Sequence, residues 1–181
     1  MDINYLGQNS FKIKTKTATV LINPVSQKNE ADIILFSKKN DTTNIEKVSG
    51  YKKVIANAGE YEISGVSMMS FKDGENLVHM IEADGIRIIH SGTITKEIKS
   101  DVIDEIGATD VLMVGVSDEF NTVSKIDPYF ILPMGFSNTD ELEKFNKSQG
   151  YVVEILPKFV IKKEDITEDL NTKIIQLEAK N

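Results

Sequence analysis

Short apolar runs, rich in β-branched side chains and closed by Gly, Asn, Asp or Pro, punctuate the chain and read as strands. Phe11-Lys12-Ile13-Lys14 alternates strictly between apolar and polar. Thr19-Val20-Leu21-Ile22 follows a polar turn, so the two runs predict an antiparallel hairpin with one face in water. Ile33-Ile34-Leu35-Phe36 is apolar throughout, as are Val111-Leu112-Met113-Val114 and Phe130-Ile131-Leu132. Continuous runs suit strands covered on both faces, and these three are expected to be central. Residues 77–83 and 86–89 flank Asp84-Gly85, a pair that supplies the positive φ angles of a tight turn and so predicts a second hairpin.

Two segments change to helical spacing. Over residues 96–106, Ile98, Val102, Ile103 and Ile106 recur at three and four residues, with Gly107 placed as a C-terminal cap. Over 138–149, Asn138 or Thr139 supplies an N-cap, Asp140, Glu141 and Glu143 fill the first turns, and Gly150 lies beyond the end. A shorter helix is expected over 43–48, and further strands over 151–155, 159–161 and 173–177. No linker, internal repeat or low-complexity tract divides the chain, so residues 1–181 read as one domain of α/β or α+β class.

Composition narrows the chemistry. The 40% apolar and 27% charged residues are the balance of a folded protein and exclude disorder as the main state. No window approaches the ~20 apolar residues of a spanning helix. Residues 1–8 lack the features of a signal peptide, and a soluble cytoplasmic protein with no membrane partner is expected. The absence of cysteine removes disulfides, thiolate metal sites and cysteine nucleophiles. A net charge of −7, with Arg87 the sole arginine, argues against a nucleic-acid partner. His79 and His90 are the two histidines, which limits what imidazole chemistry the chain can perform.

Motifs in a fixed order carry a resemblance. Near the start comes Ile3-Asn4-Tyr5-Leu6-Gly7-Gln8-Asn9-Ser10-Phe11, followed by Ile22-Asn23-Pro24, Ala31-Asp32-Ile33-Ile34-Leu35-Phe36-Ser37 and Ala58-Gly59-Glu60-Tyr61-Glu62-Ile63-Ser64-Gly65-Val66. Then come Asp84-Gly85-Ile86-Arg87-Ile88-Ile89-His90-Ser91-Gly92, Asp110-Val111-Leu112-Met113-Val114 and Ile131-Leu132-Pro133-Met134. Together they resemble the short, lactonase-like Zn-dependent hydrolases of the metallo-β-lactamase superfamily. The resemblance implies a compact four-layer αββα sandwich, two sheets face to face with helices outside. It also implies one or two divalent metals, held by a His-x-His-x-Asp-His loop after the strand that matches Ile33–Phe36.

At that loop this chain reads Ser37-Lys38-Lys39-Asn40-Asp41-Thr42-Thr43. By position, Lys38, Asn40, Thr42 and Thr43 stand where the resemblance implies ligands. Lys72 stands at the next histidine, Thr93 at the bridging aspartate and Gly135 at the final histidine. A zinc site needs imidazole or carboxylate lone pairs at ~2.0–2.2 Å to activate water. A lysine ammonium has three donors and no acceptor, and repels a dication. His90 matches a family residue outside the ligand set, and Gln8 replaces another nearby histidine. No metal and no cofactor are therefore expected.

Each remaining candidate has a plainer reading beside the chemical one. Lys38, Lys39 and Asp41 could form a relocated catalytic cluster, but such a run more often forms a solvated loop. His79 reads as a face-filling or rim side chain, and His90 as a hydrogen-bonding structural residue at the mouth of the old pocket. Glu60 and Glu62 share one face of a strand about 7 Å apart, a spacing cooperating carboxylates can use, yet they read as part of a turn and strand. Met68, Met69 and Phe71, with Met113 and Met134, read as packing between two sheets, and the acidic segment 164–169 as a solvated loop.

The sequence thus points to a pseudoenzyme, a hydrolase fold that has lost its metals and serves as a scaffold or binding module. Its vestigial pocket would comprise Lys38, Asn40, Thr42, Thr43, Lys72, His90, Thr93 and Gly135. Its partner would be another protein, a small molecule or a second copy of itself. The alternative is a hydrolase of small phosphorylated or lactone-like substrates that works without the usual two-metal site, through Lys38, Lys39, Asp41 or His90.

Overall fold

The computed structural model describes residues 1–93, 97–116, 122–167 and 169–180. Along the chain come β1 (Asp2–Gly7), β2 (Ser10–Lys14), β3 (Thr19–Ile22), β4 (Asn29–Glu30) and β5 (Ile33–Leu35), then a 3₁₀ turn at Ile45–Lys47. They are followed by β6 (Val48–Ser49), β7 (Lys53–Ile55), β8 (Gly59–Ile63), β9 (Val66–Asp73), β10 (Asn76–Ala83) and β11 (Ile86–His90). The second half holds α1 (Ser100–Ile106), β12 (Val111–Gly115), α2 (Thr122–Ile126), β13 (Phe130–Met134) and α3 (Thr139–Gln149). The chain closes with β14 (Val152–Leu156), β15 (Phe159–Val160), a 3₁₀ turn at Lys163–Asp165 and β16 (Lys173–Leu177).

Among the described residues these strands build two large sheets. One has six strands in the order β15-β1-β2-β3-β5-β7, the other eight in the order β14-β16-β13-β12-β11-β10-β9-β8. The continuous apolar runs are divided between two cores because successive side chains leave a strand on opposite faces. From β12, Val111 and Met113 enter the space between the sheets, while Leu112 and Val114 pack outward under the helices. From β5, Ile33 and Leu35 point inward, and Ile34 packs outward with Phe36 against Val48 and Ala31.

The two outer layers are unequal. Over the eight-stranded sheet, Val102 and Ile106 of α1, Val123 and Ile126 of α2 and Phe145 of α3 cover the outward face. Over the six-stranded sheet, the 3₁₀ turn and the two-stranded β4–β6 ribbon take the place of a helical layer. The fold is thus an α+β sandwich of the expected type with its fourth layer reduced.

The predicted helices meet different fates. Asn138 accepts a hydrogen bond from Glu141 N–H at 3.0 Å and Gly150 adopts the left-handed conformation, so α3 has both expected ends. The helix expected over 96–106 starts at Ser100, Lys96 lies outside the described residues, and Ile98 still packs in the outer core. The helix expected over 43–48 is replaced by a single 3₁₀ turn. Asn44 is left-handed with its amide bonded to Pro24 O, and Val48 pairs with Asn29 in a strand.

Candidate functional site

The site lies at the end of the sandwich where the loops after β1, β3, β5 and β11 converge. A cavity of about 470 Å³ opens there, lined among others by Gln8, Asn23, Phe36, Lys38, Thr43 and Thr93. Its base is a polar network on the inner face of the sandwich. Asn23, held at φ 49°, donates from Nδ2 to Asn9 O at 3.0 Å and Ser37 Oγ at 2.9 Å, and its Oδ1 accepts Ser37 N–H at 2.8 Å.

His79 and His90 occupy the bottom of this network, facing each other across the β10–β11 pairing with ring centroids 6.4 Å apart. Both are fully buried. His79 Nε2 donates to Phe36 O at 3.1 Å and its Nδ1 accepts from the Ser70 hydroxyl at 2.8 Å. His90 Nε2 donates to Asn9 O at 3.0 Å, while Nδ1 accepts Gly92 N–H at 3.0 Å and lies 3.4 Å from Ser37 Oγ. A carbonyl can only accept and an amide N–H can only donate, so the partners of His90 fix it as the neutral Nε2–H tautomer. Burial pushes the His79 imidazole down to about 4; burial, with the His79 ring adding repulsion, pushes His90 down to about 3. His79 is therefore an interior residue and not a rim one, and His90 lies beneath the cavity instead of at its mouth.

The loops at the rim are tied to each other in the same way. Lys38 forms a backbone bridge with Asn76, and Leu77 N–H donates to Ser37 O at 2.7 Å, which joins the loop of one sheet to the β9–β10 turn of the other. Asn76 Oδ1 accepts both the amide and the hydroxyl of Thr93, at 2.7 and 3.0 Å. A Cβ built on Gly92, at φ +81°, would collide with Asn76 Oδ1 and with Leu77 O, so this close approach requires glycine. Thr43 gives its hydroxyl and its amide to Asp41 Oδ1, at 2.6 and 2.9 Å. Burial alone would raise the Asp41 carboxyl, but the Thr43 and Thr42 hydrogen bonds and the charge of Lys38 hold it below the usual range.

Of the sequence-predicted pocket residues, the structure brings Lys38, Thr43 and Thr93 together around the cavity. Asn40 and Thr42 are exposed on the same loop outside the lining, and Lys72 is exposed on β9. Gly135 donates to Gln8 O at 2.6 Å, beside the cavity, and Phe136 packs on Tyr5 with ring centroids 5.9 Å apart. Burial raises the Tyr5 phenol to about 12, and its hydroxyl donates to Gln8 O at 2.7 Å. Of the remaining candidates, Asp41 lines the cavity, whereas Glu60 and Glu62 lie elsewhere on β8, beside Met69 and Met80. Met68, Met113 and Met134 fill the space between the sheets, but Met69 and Phe71 pack against the outer core.

Sequence reasoning did not single out Ser70 or Asn76, the residues that anchor His79 and Thr93. Their only signal is a polar side chain at a position that the strand's alternation assigns to a buried or half-buried face.

Two sheets packed face to face, with a loop-lined cavity at one end and one helical layer reduced, are consistent with a trimmed metallo-β-lactamase fold. The family comparison is more specific: residues 2–135 match the beta-lactamase superfamily domain, and the chain belongs to that family. No curated protein matches by sequence. Among solved structures, a protein from Thermotoga maritima assigned as a Zn-dependent hydrolase of the metallo-beta-lactamase superfamily shares 20% identity. That alignment covers 98% of this chain and 100% of the other, with a TM-score of 0.81. An isothiocyanate hydrolase from Delia radicum gut bacteria aligns over 100% and 97% of the chains, with 10% identity and a TM-score of 0.66. A metallo-beta-lactamase fold protein from Bacillus subtilis aligns over 98% and 96%, with 8% identity and a TM-score of 0.60. At these identities the likeness is one of fold.

The donor set here does not fit the metals that the fold family implies. Among the described residues no three His, Cys, Asp or Glu side chains come together as a metal-holding group. The cavity offers an ammonium at Lys38, hydroxyls of Thr43 and Thr93 already bonded to Asp41 and Asn76, and one carboxylate. The imidazole lone pair of His90 below it is taken by the Gly92 amide. No helix among the described residues is long and apolar enough to cross a membrane.

Proposed function

We propose that this chain is a pseudo-hydrolase, a member of the beta-lactamase superfamily that keeps the sandwich and acts as a scaffold or binding module without hydrolysing a substrate. One observation carries this reading. The polar groups at the cavity's base and rim donate to and accept from one another, so they offer no lone pairs clustered for a dication. A polar cavity walled by Gln8, Asn9, Thr43 and Lys38 still suits a small hydrogen-bonding ligand.

The test combines elemental analysis of the purified chain with a screen of phosphodiesters, lactones and β-lactams. The expected result is zinc and manganese far below one equivalent per chain and no turnover. Metal at one equivalent or more, removed by a chelator with loss of structure, overturns the reading. The second reading, hydrolysis without metals, draws on Lys38 and Asp41 lining the same cavity. It is favoured only if a substrate is turned over and Lys38→Ala abolishes that turnover.

A further inference from the structure

The strand β14 ends the eight-stranded sheet. It is parallel to β16 on one side, and no strand among the described residues pairs with its other side. Natural edge strands are blunted by lysine, proline, bulges or a covering element, because a bare edge is a template for another strand. Here the strand reads Val152-Val153-Glu154-Ile155-Leu156, with Val152 69%, Val153 38% and Ile155 61% exposed. Three of the large apolar side chains the protein exposes thus stand on a single edge strand.

The backbone says what kind of group completes this edge. Leu156 directs its carbonyl to Glu178 N–H in the β16 direction, at 3.1 Å. Peptide groups alternate in direction along a strand, so Val152, Glu154 and Leu156 serve β16, whereas the N–H and C=O of Val153 and Ile155 face outward. An incoming strand would satisfy these outward groups, and the two exposed faces would bury apolar side chains on either side of it.

We propose that the occupant is β14 of a second copy, paired antiparallel across a two-fold axis so that the two eight-stranded sheets become continuous. The sequence selects the register. Centring the axis on Glu154 sets two carboxylates directly opposite each other, which is destabilising. Centring it on Ile155 sets Val153 against Pro157, which has no N–H to give. Centring it on Val153 pairs Val153 with itself through the outward peptide groups, sets Ile155 against Tyr151 as a β-branched and aromatic pair, and places Glu154 opposite Val152. The contact is isologous and closes at two copies.

Light scattering coupled to size exclusion over a concentration series tests this directly. A dimer is expected, with concentration-dependent slowing of hydrogen exchange at the Val153 and Ile155 amides. Val153→Pro removes an N–H that β16 does not use, and Ile155→Lys adds the charge that bare edges ordinarily carry. Each should weaken the dimer by about tenfold, because a cross-strand pair and the hydrogen bonds beside it are lost. Thermal melts identify any variant that has lost its fold, and Ile155→Lys, altering only an exposed side chain, stands if Val153→Pro fails. A monomer at all concentrations, assemblies larger than two, or a dimer indifferent to the folded edge variants overturns the proposal.

Discussion

The space between the two sheets has two ends built on opposite principles. In its body, Ile13, Val20, Ile33, Ile81, Ile88 and Val111 meet at 0% exposure, held by apolar area that has no direction. At the site end the same strands present His79 and His90, two residues beyond Ile81 and Ile88 on the same faces, and the contacts become directional. His79 reaches across to Phe36 O and His90 to Asn9 O, so each imidazole bonds one sheet to the loops of the other. The body of the sandwich therefore does not depend on the chemistry of the rim. The histidine layer beneath the rim ties the loops of one sheet to the strands of the other through two hydrogen bonds to backbone carbonyls.

Acid should break that comparison most strongly. Both imidazoles are neutral when buried, and an unfolded histidine takes up its proton near 6.5. Below that pH the unfolded chain binds protons that the native one refuses until about 4 for His79 and about 3 for His90. Stability present above 6.5 is thus lost as pH falls through that window, at about 1.4 kcal/mol per pH unit for each histidine. Urea unfolding free energies measured from above pH 6.5 down to about pH 5 check the slope. In His90→Gln the slope should fall by about half, and an unchanged slope would mean that the ring is already free to charge in the folded protein.

Phe11 sits on the seam between the two ends. It is fully buried in the inter-sheet core, 5.1 Å from the Tyr5 ring, and meets the His90 ring edge-on at 5.9 Å. Phe11→Ala should cost about 3–5 kcal/mol in chemical denaturation, the usual range for emptying a large aromatic from a core that cannot collapse. A cost under about 1 kcal/mol would show that the loops, and not the packing, position His90.

The two ends were also unequally legible in the sequence. The body was readable because period-two burial writes itself in side-chain type: the continuous runs at 33–36, 111–114 and 130–132 became strands covered on both faces. The strand β9 was harder to see, because the inward sequence Val66, Met68, Ser70 breaks its apolar pattern at the serine that bonds His79. At the site, the residues expected to line the pocket could be named from the sequence one at a time. Their dispersal was not visible there, since whether Lys72 or Gly135 lines the cavity depends on loop paths set by bonds between residues far apart, such as Asn76 to Thr93 and Gly135 to Gln8. Those pairings have no local signature. The short helix expected at 43–48 failed for a related reason, since the side chain of Asn44 is engaged by a carbonyl twenty residues upstream.

The smallest effect is expected at Lys38, on the rim of the cavity. Lys38 is exposed, its backbone holds the loop through the bridge to Asn76, and its ammonium forms no ion pair within 4 Å among the described residues. Lys38→Ala should therefore change unfolding free energy by no more than about 0.5 kcal/mol, as surface substitutions do when no special contact is lost. Because Lys38 also contributes to holding the Asp41 carboxyl low, the variant should let that carboxyl titrate at a higher pH, which carbon-detected NMR of the Asp41 side chain can follow. A large loss of stability in Lys38→Ala would show that the rim, like the layer of histidines below it, is part of what holds the two sheets together.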